Sequence, residues 1–204
     1  MKNKTILIIF IFVFTIFTFQ FCEKDRGVAT SPPPESVTSV ITTGENIFRS
    51  LIMALTNKLT NAIKESGFTG AIEICNLHAL PLTDKIAQSN EKVFQIKRTS
   101  YQYRNKKNKP DKFENTALKY FESFIKNGES LPSFYVQKIE KASGNFYRYY
   151  KPLTVMPMCL NCHGNSDDMS EEVIELLERK YPNDKAAGYS LNDFRGIISI
   201  SISE

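Results

Sequence analysis

The chain has 204 residues, with 26 Lys and Arg against 22 Asp and Glu and a formal charge of +4. That near balance, with no repeated pairing of basic and aromatic residues, excludes a nucleic-acid footprint. Hydrophobic residues make up 42%, enough for one domain with a proper core, and no internal repeat divides the chain.

Lys2 and Lys4 precede an uncharged run, Thr5 to Cys22, rich in Ile and Phe. A short basic region followed by an apolar one is the pattern of a secretory signal. The polar chain begins at Cys22-Glu23-Lys24, and a Cys at such a boundary is where a lipoprotein is acylated after cleavage. Phe21 departs from that pattern, because the residue before the Cys is normally small. The competing reading is an uncleaved anchor, since about 17 apolar residues reach the low end of a membrane span. Either way, residues 1–21 form a signal peptide or membrane anchor, and the rest is expected in the periplasm, tethered to the membrane. Without that segment the balance is 24 basic to 22 acidic side chains. Residues 22–43 hold Ser31-Pro32-Pro33-Pro34 and a Ser/Thr-rich run to Thr43, and they read as a flexible tether. Residues 44–204 are then the folded domain.

Within it, Ile47, Leu51, Leu55, Leu59 and Ile63 recur every four residues, predicting an amphipathic helix over 45–66 that Gly67 ends. A second helix is predicted from Gly70 to Leu80, bent or interrupted by Pro81 and resuming to about Gln88. Val93 to Tyr103 alternates and is rich in β-formers, predicting a strand. The polar stretch Asn105 to Pro110 predicts a turn. Asp111 is placed to cap a helix running to Lys126, with Gly128 beyond its end. Phe134–Lys141 and Phe146–Pro152 flank Ser143-Gly144-Asn145 as a hairpin. A helix over 171–180 and a half-buried strand over 194–203, alternating Ile and Ser, close the chain. Hairpin-linked strands flanked by helices, behind an N-terminal amphipathic helix, make an α+β domain with an antiparallel sheet.

Between the hairpin and the last helix lies Cys159-Leu160-Asn161-Cys162-His163, which reads C-x-x-C-H. In this motif each thiol adds to one vinyl group of a porphyrin, and the following His ligates the iron from the same side. A redox pair needs a βαβ context and a zinc site needs about two further ligands; neither is evident around it. One covalent haem c is therefore the expected cofactor, and its attachment outside the bacterial cytoplasm agrees with an export signal. His163 is the proximal iron ligand.

With Cys22 at the membrane and Cys159 and Cys162 on the porphyrin, Cys75 is the thiol left over among four. A free Cys is ordinarily a small buried hydrophobe, but this one is also a candidate second iron ligand. His78 lies three residues on, nearly on the same helix face, and is chemically able. Met156 and Met158 stand too close to the haem cysteines to reach the opposite porphyrin face easily, and packing on the haem edge suits them better. An open or water-filled position is the remaining alternative. Arg98, Arg104 and Arg195 are candidates for the haem propionates, since a guanidinium pairs bidentately with a carboxylate. Each also reads as an ordinary surface arginine. Tyr101, Tyr149 and Tyr189 are candidate pocket walls. Lys106-Lys107-Asn108-Lys109 reads as a solvated turn, with a docking patch for an acidic redox partner as the alternative.

Taken together, Ala71-Ile72-Glu73-Ile74-Cys75, Arg98-Thr99-Ser100, Arg104-Asn105, Asn108, Pro110-Asp111 and Tyr150-Lys151-Pro152 form a recognisable series. It continues through Cys159 to Gly164, Tyr181-Pro182, Asp184 to Tyr189, Asp193 and Arg195-Gly196. In these motifs and their order, residues 45–204 resemble the exported single-haem proteins of domain of unknown function 3365. The resemblance implies a PAS-like fold, and a Cys at the position of Cys75 as second iron ligand. Lys106 and Lys109 depart from the family's tendency towards Ala and Pro there. Members occur alone or as the outer part of signalling proteins, so a transmitter would be a separate protein here.

A thiolate ligand stabilises ferric over ferrous iron, so reduction loosens it and opens room for a small gas. The leading reading is a membrane-tethered, extracytoplasmic c-type haem protein acting as a redox or gas sensor towards a signalling partner. The alternative is a single-electron carrier, which keeps the same ligands in both oxidation states. A peroxidase-like enzyme would need an open iron and a distal acid–base group, for which only His78 is at hand, so no enzymatic activity is expected.

Overall fold

The computed structural model describes residues 27–204. The apolar N-terminal run and Cys22, and with them the signal, anchor and lipid readings, lie outside the described residues. Among the described residues no helix is long and apolar enough to cross a membrane.

In chain order the elements are β1 (Val28–Thr30), α1 (Pro34–Ala87), β2 (Val93–Thr99), α2 (Lys112–Lys126) and β3 (Tyr135–Glu140). They continue with β4 (Phe146–Thr154), α3 (Leu160–His163), α4 (Glu171–Lys180) and β5 (Phe194–Ser203). The strands form one antiparallel sheet in the order β1-β3-β4-β5-β2. The chain is thus an α+β fold with a five-stranded antiparallel sheet and helices packed on it.

Period-2 alternation sorts the strand residues onto two faces. Ile198, Ile200 and Ile202 of β5 join Val93, Ile96, Val136, Tyr147 and Tyr149 on one face, where Val40, Ile47 and Leu51 of α1 cover them. Ile197 and Tyr150 point the other way, against Ala117, Leu118 and Phe121 of α2. Because α2 shields that second face, Ser199 and Ser201 are only 2% and 1% exposed. The strand expected to be half-buried is buried on both sides.

α1 begins at Pro34, well before the predicted Glu45. The segment expected to be a flexible tether holds β1, paired with β3, and the opening turns of α1. The physical reason is burial: Val40, 2% exposed, belongs to the main core, and that contact overrides the weak helix preference of a Ser/Thr-rich run. The folded unit therefore starts before residue 44.

Ser66 and Gly67 leave helical geometry within α1, Gly67 at φ +66 and ψ −167, a conformation that favours glycine. An unbroken helix would carry Ala87 about 54 Å beyond Leu51. Both residues sit in the same core cluster, so the chain folds back at Gly67. Pro81 does not interrupt the second half. The carbonyl it deprives of a partner belongs to Leu77, which is 60% exposed and open to water. At α2 the expected cap is present: Asp111 accepts from the amides of Phe113 and Glu114, and the Glu114 side chain accepts from the Asp111 amide.

Candidate haem site

β4 delivers the chain to the C-x-x-C-H segment. Val155 anchors it, its amide donating to Asp193 and its carbonyl accepting from Asn192, each at 2.9 Å. Pro157–Cys159 form a 3-10 turn that runs straight into α3. One helical turn puts Cys159 and Cys162 on the same side, with His163 next in line.

His163 is held in one orientation. Its Nδ1 lies 2.6 Å from the carbonyl oxygen of Ala186. A carbonyl only accepts, so Nδ1 carries the proton and Nε2 keeps its lone pair. Burial, aided by the charges of Arg104 and Arg195, pushes the ring down to about 3, leaving it neutral at physiological pH. A neutral imidazole with one nitrogen anchored and the other free is the form that ligates a metal. The ring of Tyr189 meets it edge-on at 6.5 Å, and the Tyr189 amide donates to the His163 carbonyl at 3.0 Å.

Arg104 ties the motif to the loop between α4 and β5. Its Nε donates to Asp184 Oδ2 at 2.8 Å, and its Nη2 donates to the carbonyls of Cys162 and, at 3.3 Å, Ala186. Its guanidinium also lies over the Tyr181 ring, 5.6 Å from the centroid. Expected as a propionate partner, Arg104 is thus already engaged on three sides. Arg195 lies over the Tyr189 ring at 5.0 Å and donates to the Gln102 carbonyl at 3.1 Å. Arg98 is different: its Nε is buried and has no hydrogen-bond partner among the described residues. Burial pushes its pKa down, the charge of Arg195 adding to that and Cys75 opposing it.

Cys75 stands on the second half of α1, three residues after Ile72. Ile72 packs with Val173, Leu176 and Leu177 of α4, and Cys162 lies against that cluster. Helical spacing therefore points Cys75 towards the haem motif. Its side chain is open to solvent yet ringed by protein atoms, whose bulk pushes the thiol up against the opposing pull of Arg98 and Arg104. His78 is exposed on the same helix segment. Met156 is 54% exposed at the lip of the motif, and Met158 is half-buried. Of the three tyrosines, only Tyr189 is at the site. Tyr149 is 0% exposed inside the main core, and Tyr101 lies beside the Asn115 carbonyl of α2.

The residues fit a haem. Two thiols on one helical turn, a neutral His with a free Nε2, and the guanidiniums of Arg98 and Arg195, neither of them ion-paired among the described residues while Arg104 is paired with Asp184, suit a group with two vinyls, an iron and two carboxylates. Among the described residues no group of three or more His, Cys, Asp or Glu could hold a metal ion, so a protein zinc centre lacks its ligands.

The family model described as Tll0287-like matches residues 33–203. The chain belongs to the Tll0287-like family. A solved structure, titled as that of the cyanobacterial haem protein Tll0287, has the same fold, with a TM-score of 0.54. It is 21% identical in sequence, over 85% of this chain and 98% of that one. Among curated proteins none matches.

Two residues of the site carry a chemical role that the sequence did not assign them. Asp184 and the Ala186 carbonyl control His163, yet a carbonyl carries no side-chain signature. In the sequence Asp184 stood only within the stretch Asp184 to Tyr189 that carries the resemblance; its Oδ1 accepts from the Ala186 amide two residues on.

Proposed function

We propose that the chain binds one haem covalently through Cys159 and Cys162, with His163 as the proximal iron ligand. The state of His163 carries this reading: it is neutral, anchored through Nδ1, and follows both thiols on one turn. Membership of the Tll0287-like family, whose namesake is titled a haem protein, supports it. Bound there, a haem supplies an iron that exchanges one electron and accepts axial ligands from two sides.

Cys75 is the second ligand in this proposal: burial raises its thiol against the pull of Arg98 and Arg104, and a bound iron would supply the charge that displaces the proton. Arg98 and Arg195 take the propionates, which gives the unpartnered Nε of Arg98 an acceptor. The sheet is read as PAS-like, and the protein as a redox or gas sensor held outside the cytoplasm by its N-terminus. A thiolate is held less firmly by ferrous than by ferric iron, so Cys75 would hold a bound haem more weakly once the iron is reduced. It rides on the helix segment beyond the Gly67 break, whose displacement a signalling partner can read.

The test is export of the full chain from a bacterium that attaches haem c, followed by acid extraction, mass measurement and ferric, ferrous and carbon monoxide spectra. Retained haem mass and carbon monoxide binding only after reduction are expected. A chain of unmodified mass refutes covalent attachment. Identical axial ligation in both oxidation states supports an electron carrier in place of a sensor.

A further inference from the structure

Asp184 spends both carboxylate oxygens on the surroundings of His163. Oδ1 accepts from the Ala186 amide at 2.8 Å and Oδ2 accepts from Arg104 Nε at 2.8 Å. The Ala186 residue is 0% exposed, so water does not compete for its carbonyl, which takes the His163 Nδ1 proton at 2.6 Å. The same carbonyl also lies 3.3 Å from Arg104 Nη2. A cation on a carbonyl drains its acceptor strength, and a carboxylate on that cation restores it. The Arg104 and Asp184 side chains are 13% and 16% exposed, so their charges are screened far less than those of a surface pair.

We infer that Asp184 is the positioning residue that sets how strongly His163 donates to iron, by holding the Ala186 carbonyl in place and by balancing the charge of Arg104. The inference rests on the haem reading above. Removing the carboxylate acts twice in one direction. The Ala186 amide loses its charged acceptor, so the brace on residue 186 and with it the push on His163 weaken, and an unbalanced guanidinium is left beside the Ala186 carbonyl. Both disfavour the ferric state.

The experiment compares exported holoprotein of the wild type with Asp184→Asn, Asp184→Glu, Arg104→Gln and Asp193→Asn. Asp193 is the control, because its carboxylate accepts from the Ser190 amide in the same loop without touching Ala186. The readouts are the reduction potential and the Fe–His stretching band of the ferrous protein. Asp184→Asn should move the ferric/ferrous ratio about tenfold towards ferrous, roughly 59 mV for one electron, and lower the Fe–His frequency. Asp184→Glu should recover more than half of that change, and Asp193→Asn should stay within about twofold of wild type. Arg104→Gln, which removes the cation that Asp184 balances, should shift the ratio the opposite way. It decides the matter if Asp184→Asn fails to accumulate. An Asp184→Asn protein within about twofold of wild type, or Asp184 and Arg104 variants that shift with the same sign, overturns the inference. Wild-type chain without haem overturns the haem reading instead.

Discussion

Gly44 lies against the ring of Tyr149, so near that a β-carbon at residue 44 would stand 2.3 Å from the Tyr149 Cγ. The Tyr149 hydroxyl donates to Glu45, which also accepts from Lys151 at 2.6 Å, so α1 and β4 are locked at one point by close approach and by charge. Gly44→Ala must displace that ring. Overpacking of this kind costs about 1–3 kcal/mol, visible as a lower urea midpoint. Haem attachment should persist, because Tyr149 belongs to the main core and not to the Cys159–His163 region.

Acid should weaken the start of α2. Burial raises the Asp111 carboxyl, but the Glu114 amide and the Arg148 charge outweigh it and hold the group below its ordinary 3.8. A depressed folded pKa means the stabilisation is fully present above the unfolded value and is lost as pH falls through the folded one. Asp111→Ala should cost about 1 kcal/mol at neutral pH through loss of the cap, and should flatten the decline in stability below about pH 4. Chemical denaturation at several pH values checks both. An unchanged acid slope would assign the decline to other carboxylates.

Arg98 should trade stability for ligand binding. In the haem-free chain its buried Nε meets no acceptor among the described residues, so Arg98→Met should leave stability unchanged or raise it by about 1 kcal/mol. If Arg98 pairs with a propionate as proposed, the same change in the holoprotein should lower the melting temperature relative to wild type. Calorimetry of both forms separates the two effects. A loss of stability in the haem-free chain would make Arg98 a structural residue.

Cys75→Ser should convert the ferric spectrum from low-spin towards high-spin or His-ligated, raise the reduction potential, and leave the covalent haem in place. His78→Ala should leave the ferric spectrum nearly unaltered. The reverse result, with Cys75→Ser silent and His78→Ala changed, would make the protein a bis-histidine electron carrier.

Features governed by rules a few residues long were legible in the sequence. The four-residue recurrence of Ile47, Leu51 and Leu55 marks the α1 face that packs on the main core, and Gly67 marks its break. Asp111 with Glu114 three residues on marks the α2 cap, and Cys159, Cys162 and His163 fall on one turn because α3 follows the 3-10 turn directly. The tertiary structure decided the rest. Arg104 meets Asp184 across 80 residues, and His163 meets Ala186 across 23. The choice of partner in such pairs depends on which distant segment the fold delivers, and a backbone carbonyl looks alike at every residue. Burial works the same way: Val40 turned an expected tether into helix, and α2 covered Ser199 and Ser201, because the free energy of removing both sheet faces from water belongs to the assembled layers and not to any one segment.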